Sequence, residues 1–209
     1  MQIVSGGVSD VGRVRANNED CFRIVAPLHL FVLSDGMGAT LTAAWIYGAK
    51  LSIAHVGDSR AYLLRGGALQ QLTGDHSLVA EQVRRGIITP AEAEESQMQS
   101  VLIRALGAQP EVEVDADEHT LFTRDILLLC SDGLTRMVTE PEIAGTMQAE
   151  TNPDKAAEKL VALANEYGGA DNVTVIVVRL ESGSRGWFSW ARRGARNRYA
   201  GSNGSAGGK

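Results

Sequence analysis

Acidic residues fall in five turns along the chain: Asn18-Glu19-Asp20, Asp35, Asp58, Asp132 and Asp171. Asp35 follows the apolar run 28–33 and precedes Gly36-Met37-Gly38, and Asp58 follows Ile53-Ala54-His55-Val56-Gly57. Asp132 follows residues 126–131 and precedes Gly133; Asp171 follows Gly168-Gly169-Ala170 and precedes Asn172 and another apolar run. Strand ends on one rim of a sheet system can converge. Carboxylates gathered there repel one another unless cations neutralise them. Oxygen donors alone select hard cations such as Mg²⁺ or Mn²⁺ rather than Zn²⁺. Two such ions about 3.5–4 Å apart would activate a water for attack on phosphorus. An Asp-Gly pair is also ordinary turn chemistry, so spacing alone leaves the convergence open.

A second phosphate chemistry can be written on the same stretch. Cys130-Ser131-Asp132-Gly133-Leu134-Thr135-Arg136 has the Cys-x5-Arg spacing in which a thiolate attacks phosphorus and an arginine grips the phosphate. Against it, Asp132 would place a negative charge inside an anion cradle, and Leu129 rather than a histidine precedes the cysteine. Cys130 also ends a very apolar run, where a small buried cysteine is ordinary. His76 has the side chain best suited to protonating a leaving alkoxide, but a lone histidine is weak evidence and a structural role is the better reading.

These residues need a frame. The runs 28–33, 41–46, 51–56, 61–64, 69–72, 112–114, 126–130 and 173–180 read as strands. Tyr47-Gly48-Ala49-Lys50 and Gly66-Gly67 mark hairpins. The nearly unbroken apolar runs 126–130 and 173–178 suit strands covered on both faces. Asn152 as cap and Pro153 as first residue open a helix with Ala156, Leu160, Leu163, Ala164 and Tyr167 at helical spacing, stopped by Gly168-Gly169. Shorter helices are expected over 77–85, 90–95 and 140–147, the last capped by Thr139. Strands outnumber helices, which points to an α+β fold of antiparallel sheets with helices packed outside.

At 209 residues, 44% apolar and 22% charged, the chain can bury one substantial core. It contains no apolar run long enough to span a bilayer and opens with no secretory pattern. Two cysteines are too few for a disulfide scaffold or a cysteine-ligated zinc site, so a reducing cytoplasm is expected. The net charge of −5 hides a division: residues 185–209 carry six basic groups and no acid, leaving 14 basic against 25 acidic groups in the rest. An acidic body argues against nucleic acid as partner and suits a site that concentrates carboxylates around cations. Residues 1–181 read as one domain and 182–209 as a basic, Gly/Ser-rich disordered tail, whose Trp187, Phe188 and Trp190 could touch an anionic membrane weakly.

Six segments in order carry a resemblance: Arg15-Ala16-Asn17-Asn18-Glu19-Asp20, Ser34-Asp35-Gly36-Met37-Gly38, Val56-Gly57-Asp58-Ser59-Arg60, Leu72-Thr73-Gly74-Asp75-His76-Ser77-Leu78, Ser131-Asp132-Gly133-Leu134 and Gly169-Ala170-Asp171-Asn172-Val173-Thr174. Together they resemble the motif series of the bacterial PPM-type (type 2C) metal-dependent protein serine/threonine phosphatases, over residues 3–180. The resemblance implies a β-sandwich of two antiparallel sheets flanked by helices, with a dinuclear Mn²⁺ or Mg²⁺ centre at one end. It implies Asp35 bridging both ions, the Gly36 carbonyl on one, and Asp132 and Asp171 on the other. Asp20 and Glu19 would hold water-mediated contacts, and Asp58 with Asp132 a weaker third ion. Arg15 would bind phosphate, as a guanidinium fork suits phosphate oxygens; a surface salt bridge is its alternative role. Residues 78–98 would form a flap. Phosphorylated proteins, with a Ser/Thr kinase as counterpart, are the implied partners.

The resemblance breaks after Gly38. The family places two long helices between this turn and the next strand, whereas here Gly38 runs straight into Ala39-Thr40-Leu41. Loss of those helices predicts an uncovered sheet face that could favour dimerisation, and a link too short for strands held in their family positions. It also leaves open a second function, a catalytically impaired remnant that binds phosphoproteins or metals.

Overall fold

In the computed structural model, which describes residues 1–36 and 39–182, the apolar runs become strands of two five-stranded antiparallel sheets. The first sheet contains β1 (Gln2–Asp10), β6 (Arg60–Arg65), β7 (Ala68–Gln71), β9 (Ile126–Cys130) and β10 (Val173–Glu181), in the order β1-β10-β9-β6-β7. The second contains β2 (Cys21–Val25), β3 (Leu30–Ser34), β4 (Leu41–Tyr47), β5 (Lys50–Val56) and β8 (Asp115–Thr120), in the order β2-β3-β4-β5-β8. Five α-helices, α1 (Leu78–Arg84), α2 (Pro90–Glu94), α3 (Asp132–Thr135), α4 (Glu140–Ala149) and α5 (Pro153–Glu166), and a 3-10 turn at Ala26–Leu28 complete the described chain.

The inner faces of the sheets meet in a core that includes Phe31, Leu33, Ile53, Leu63, Leu127, Leu129, Ile176 and Val178. Strict alternation then sends Leu128, Val175 and Val177 to the other face of the first sheet, where they join Ile143 and Met147 of α4 and Leu160 and Ala164 of α5. This is why β9 is buried at every position. Each fully buried leucine contributes about 1.5–3 kcal/mol of apolar burial. Asn152 caps α5 by accepting from the Lys155 N–H at 3.1 Å. The start of α5 lies so close over β1 that a Cβ at Gly6 would come within 2.6 Å of the Asp154 Cα.

Several expectations need correction. The link after Asp35 is not too short, because β3 and β4 are hydrogen-bonded neighbours with Leu33 opposite Thr42 and Leu30 opposite Trp45. A hairpin connection therefore suffices. The strand expected at 112–114 lies instead at Asp115–Thr120. It is an edge strand paired only to β5, with mostly exposed charged residues, so its composition gives no apolar signal. β1 and β2 were not expected from composition; β1 is rich in Ser and Gly. The tail expected over 182–209 lies, from residue 183 onward, outside the described residues. Among the described residues no helix is long and apolar enough to cross a membrane, and no helix lies between β3 and β4.

Candidate metal centre

The sheets place the acidic turns on one rim. Cys21 pairs with Ser34, so Asp20 and Asp35 flank the same end of the β2–β3 pair. Cys130 pairs with both Val175 and Arg60, so Asp132 and the turns before β10 and β6 share the corresponding end of the first sheet. Asp58 occupies the crossing from β5 to β6, which joins the two sheets.

At this rim one carboxylate oxygen from each of Asp35, Asp58 and Asp132 lies within 4.8 Å of the others. Asp20 reaches the same place from the side. Its Oδ2 accepts from the Ser131 hydroxyl at 2.8 Å, while its Oδ1 is buried with no hydrogen-bond partner. Asp171 lies next along the rim and accepts from Arg15 Nη2 at 2.8 Å. Glu19 is exposed and does not enter the tight cluster; its backbone N–H donates to Asn172 Oδ1 at 2.8 Å. The Gly36 carbonyl accepts the Ala39 N–H at 2.7 Å, leaving its second lone pair free.

Like charges in a partly buried rim hold protons. Burial, followed by the charges of Asp132, Asp20 and Asp58, pushes Asp35 up to about 9. Burial and Asp132 push Asp58 up to about 7, with Arg136 opposing. Asp20 and Asp132 are also raised, burial being the largest cause for each. Only oxygen donors meet here, and one buried carboxylate oxygen is orphaned. That donor set fits hard divalent cations.

Residues that carry no ligand atom hold the cluster in shape. Thr40 Oγ1 accepts the Asp35 N–H at 3.0 Å and hydrogen-bonds Ser59 Oγ at 2.9 Å, while the Ser34 hydroxyl donates to the Thr40 carbonyl at 2.7 Å. Gly57 has φ +114°, and a Cβ there would lie 2.5 Å from the Thr40 side chain. The Asp35 and Asp58 turns are thus clasped together. Ser131 joins Asp20 to β10, its Oγ also accepting the Thr174 N–H at 2.9 Å. Buried Asn172 ties down the loop that carries Arg15 and Asp20, donating to the Val11 and Asn17 carbonyls at 2.9 Å each. Sequence reasoning missed Thr40, Ser59, Ser131 and Asn172 as positioning residues. The polar residues beside Asp in Ser131-Asp132 and Asp171-Asn172 were the available signal.

The rival readings fail on geometry. Cys130 is fully buried against the α4–α5 layer, and burial pushes its thiol up to about 12, so it offers no thiolate. Arg136 binds Asp132 at 2.6 Å rather than facing an anion cradle. His76 is buried: its Nδ1 accepts the Gly57 N–H at 3.1 Å and its Nε2 lies 3.0 Å from Asp115, which fixes it as structural.

Known proteins match this chain in sequence and in fold. Residues 31–85 match the protein phosphatase 2C family. The serine/threonine phosphatase stp of Listeria welshimeri is 46% identical over 144 residues, 69% of this chain and 57% of the relative. The serine/threonine protein phosphatase PstP of Mycobacterium tuberculosis is 41% identical over 164 residues, 78% of this chain and 31% of the relative. The chain thus spans under two thirds of the length of these curated relatives. Against solved structures, the crystal structure of M. tuberculosis PstP/Ppp superposes with a TM-score of 0.81 at 32% identity, covering 86% of this chain and 99% of that one. A second PstP catalytic-domain structure, in complex with two manganese ions, has a TM-score of 0.78 at 31% identity, with 86% and 99% covered.

Proposed function

The chain belongs to the protein phosphatase 2C family, the PPM-type phosphatases, and on that premise we propose that it hydrolyses phosphoserine and phosphothreonine in proteins with Mn²⁺ or Mg²⁺. The observation that carries this reading is the convergence of Asp35, Asp58 and Asp132 at the rim, with the orphaned Asp20 oxygen beside them. Asp35, the Gly36 carbonyl, Asp132 and Asp171 would hold a pair of ions, with Asp20 and Glu19 contributing through water. The resemblance also assigns Asp58, facing Asp132, a weaker third position, whose use by an ion depends on the Arg136 guanidinium beside both carboxylates. When bound, the ions would supply an activated water and neutralise charge on the phosphate.

The chain's own residues do the rest. The Arg15 side chain is 57% exposed and, among the described residues, hydrogen-bonds only Asp171, through Nη2, which leaves other N–H groups to hold two phosphate oxygens. The Thr40–Ser59 clasp keeps the Asp35 carboxylate aimed at the rim. With His76 buried, the leaving alkoxide takes its proton from water. A cleft of about 880 Å³ between α1–α2 and the rim is lined by Arg84, Gln71, Thr135, Asp58 and Asp132. It has room for the residues flanking a phosphorylated side chain. Phosphoproteins are thus the substrates, and a Ser/Thr kinase is the counterpart. Both cysteines are free, which suits a cytoplasmic setting.

Hydrolysis of p-nitrophenyl phosphate and of a phosphothreonine peptide, with Mn²⁺ and with excess chelator, tests the reading. Activity is expected with Mn²⁺ alone and is expected to survive thiol alkylation. Full turnover in chelator, or its loss in Cys130→Ser, would overturn it. A folded chain that binds Mn²⁺ without turnover would leave the binding-module function.

A further inference from the structure

Arg136 follows the last residue of α3, one helical turn after Asp132, and its backbone N–H donates to the Asp132 carbonyl at 2.9 Å. Its guanidinium folds back onto the rim: Nη2 lies 2.6 Å from Asp132 Oδ2 and 3.9 Å from Asp58 Oδ2. The three side chains are mostly shielded, with 26%, 14% and 11% of Arg136, Asp132 and Asp58 exposed, so the pairing is only weakly screened by solvent. Arg15 contacts Asp171 instead, and Arg60 is held by Asp75. Asp58 and Asp132 therefore face a cation that the chain itself supplies.

Resting on the metal-dependent reading above, we infer that Arg136 is a tethered counter-cation that occupies the Asp58–Asp132 pair, restricting divalent ions to the Asp35–Asp132–Asp171 side of the rim. Two like charges close together need a positive charge between them. A guanidinium on a short tether has an effective concentration that a weakly held free ion cannot match. One guanidinium nitrogen, Nη2, reaches both carboxylates. Arg136 is in this sense a positioning residue. It binds neither substrate nor water in the reaction, and it sets how many ions the rim takes.

Mn²⁺ stoichiometry, measured by calorimetric titration of the full chain and by metal analysis after gel filtration, tests this without reference to turnover. Arg136→Gln is expected to bind one more Mn²⁺ per chain than the parent. Asp58→Asn is expected to abolish that extra ion in the Gln background while leaving the parental count unchanged. Arg136→Lys, which restores a tethered positive charge, is expected to return the parental count. The same stoichiometry in Arg136→Gln and parent would overturn the inference, as would a lower parental count in Asp58→Asn alone. That last variant keeps the test decisive even if Arg136→Gln fails to fold. A parent that binds no Mn²⁺ at all would instead sink the metal-dependent reading, so the two failures are separate.

Discussion

The two sheets meet at one rim but are finished differently on their far sides. The first is dry on both faces, with α4 and α5 over Leu128, Val175 and Val177. It delivers Asp132 and Asp171 from the ends of strands that cannot shift without opening a core. The second is packed on one face only. Its outer face carries a row of Arg23, Val32, Ala43, Ala54 and Ala116 across the strands, followed by the exposed Trp45 and Tyr47, and among the described residues no helix packs on it. It delivers Asp20, whose carboxylate accepts from the Ser131 hydroxyl, and Asp35, whose N–H donates to Thr40 Oγ1. A ligand can thus be fixed by a core behind its strand or by polar ties at its turn, and this molecule uses one device on each sheet.

The largest effects should come from the ligands. Asp132→Asn from the first sheet and Asp35→Asn from the second should each lower Mn²⁺-dependent turnover by at least about 100-fold, since loss of even an outer-shell partner costs about 10–100-fold. Steady-state kinetics with metal titration reads this. Turnover retained in either variant would show that one sheet alone supplies the centre.

Core truncation should then separate the far faces. Leu160→Ala, under the helix layer, should lose about 2–5 kcal/mol of stability, whereas Val32→Thr on the bare face should stay within about 0.5 kcal/mol. Equal losses in urea unfolding would mean that the second face is covered in solution, by a second copy for example. Thr40→Val probes the polar tie. It should weaken Mn²⁺ binding by about 10–100-fold with the fold intact, and Thr40→Ser should restore it. Unchanged Mn²⁺ affinity would show that Asp35 is held by its strand after all.

The same carboxylates give the metal-free chain a pH dependence. Asp35 and Asp58 bind protons more tightly folded, at about 9 and about 7, than unfolded at about 4. The folded chain therefore holds the extra protons between these limits. In chelator its stability should fall as pH rises from about 5, through the Asp58 range and on through that of Asp35. Saturating Mn²⁺ should remove the decline, and a melting temperature that rises over this range in chelator would contradict the clustered carboxylates.

Legibility in the sequence followed the same division. Central strands β9 and β10 and helix α5 were readable because burial on two faces, or on one helical stripe, leaves a dense apolar pattern. Edge strands β1 and β8 were not, since one hydrogen-bonded neighbour suffices and their residues can be Ser, Gly or Asp. The aspartates of the rim were visible from their turns, and their order carried the family resemblance. That β3 and β4 adjoin was invisible, because strand adjacency depends on pairing rather than on any residue type in the link. Arg136 was seen only as part of a cysteine motif, because its i,i+4 relation to Asp132 has meaning only once the chain turns into α3.

The pairing of Gln2 with Glu181 sets an order of events during folding. Strands β2 to β5 are successive neighbours between residues 21 and 56, so their hairpins close over short loops and can form while the rest of the chain is still being made. The first sheet must wait, because β10, its second strand, lies between β1 and β9 and is the last of the described strands to be synthesised. Asp35 and Asp58 are thus placed early, while Asp132 and Asp171 arrive with the final strands. A ribosome-bound chain halted before residue 173 would hold all five aspartates but lack the strand that fixes Asp132 and Asp171 against the others, so metal loading belongs to the end of folding rather than to its nucleation.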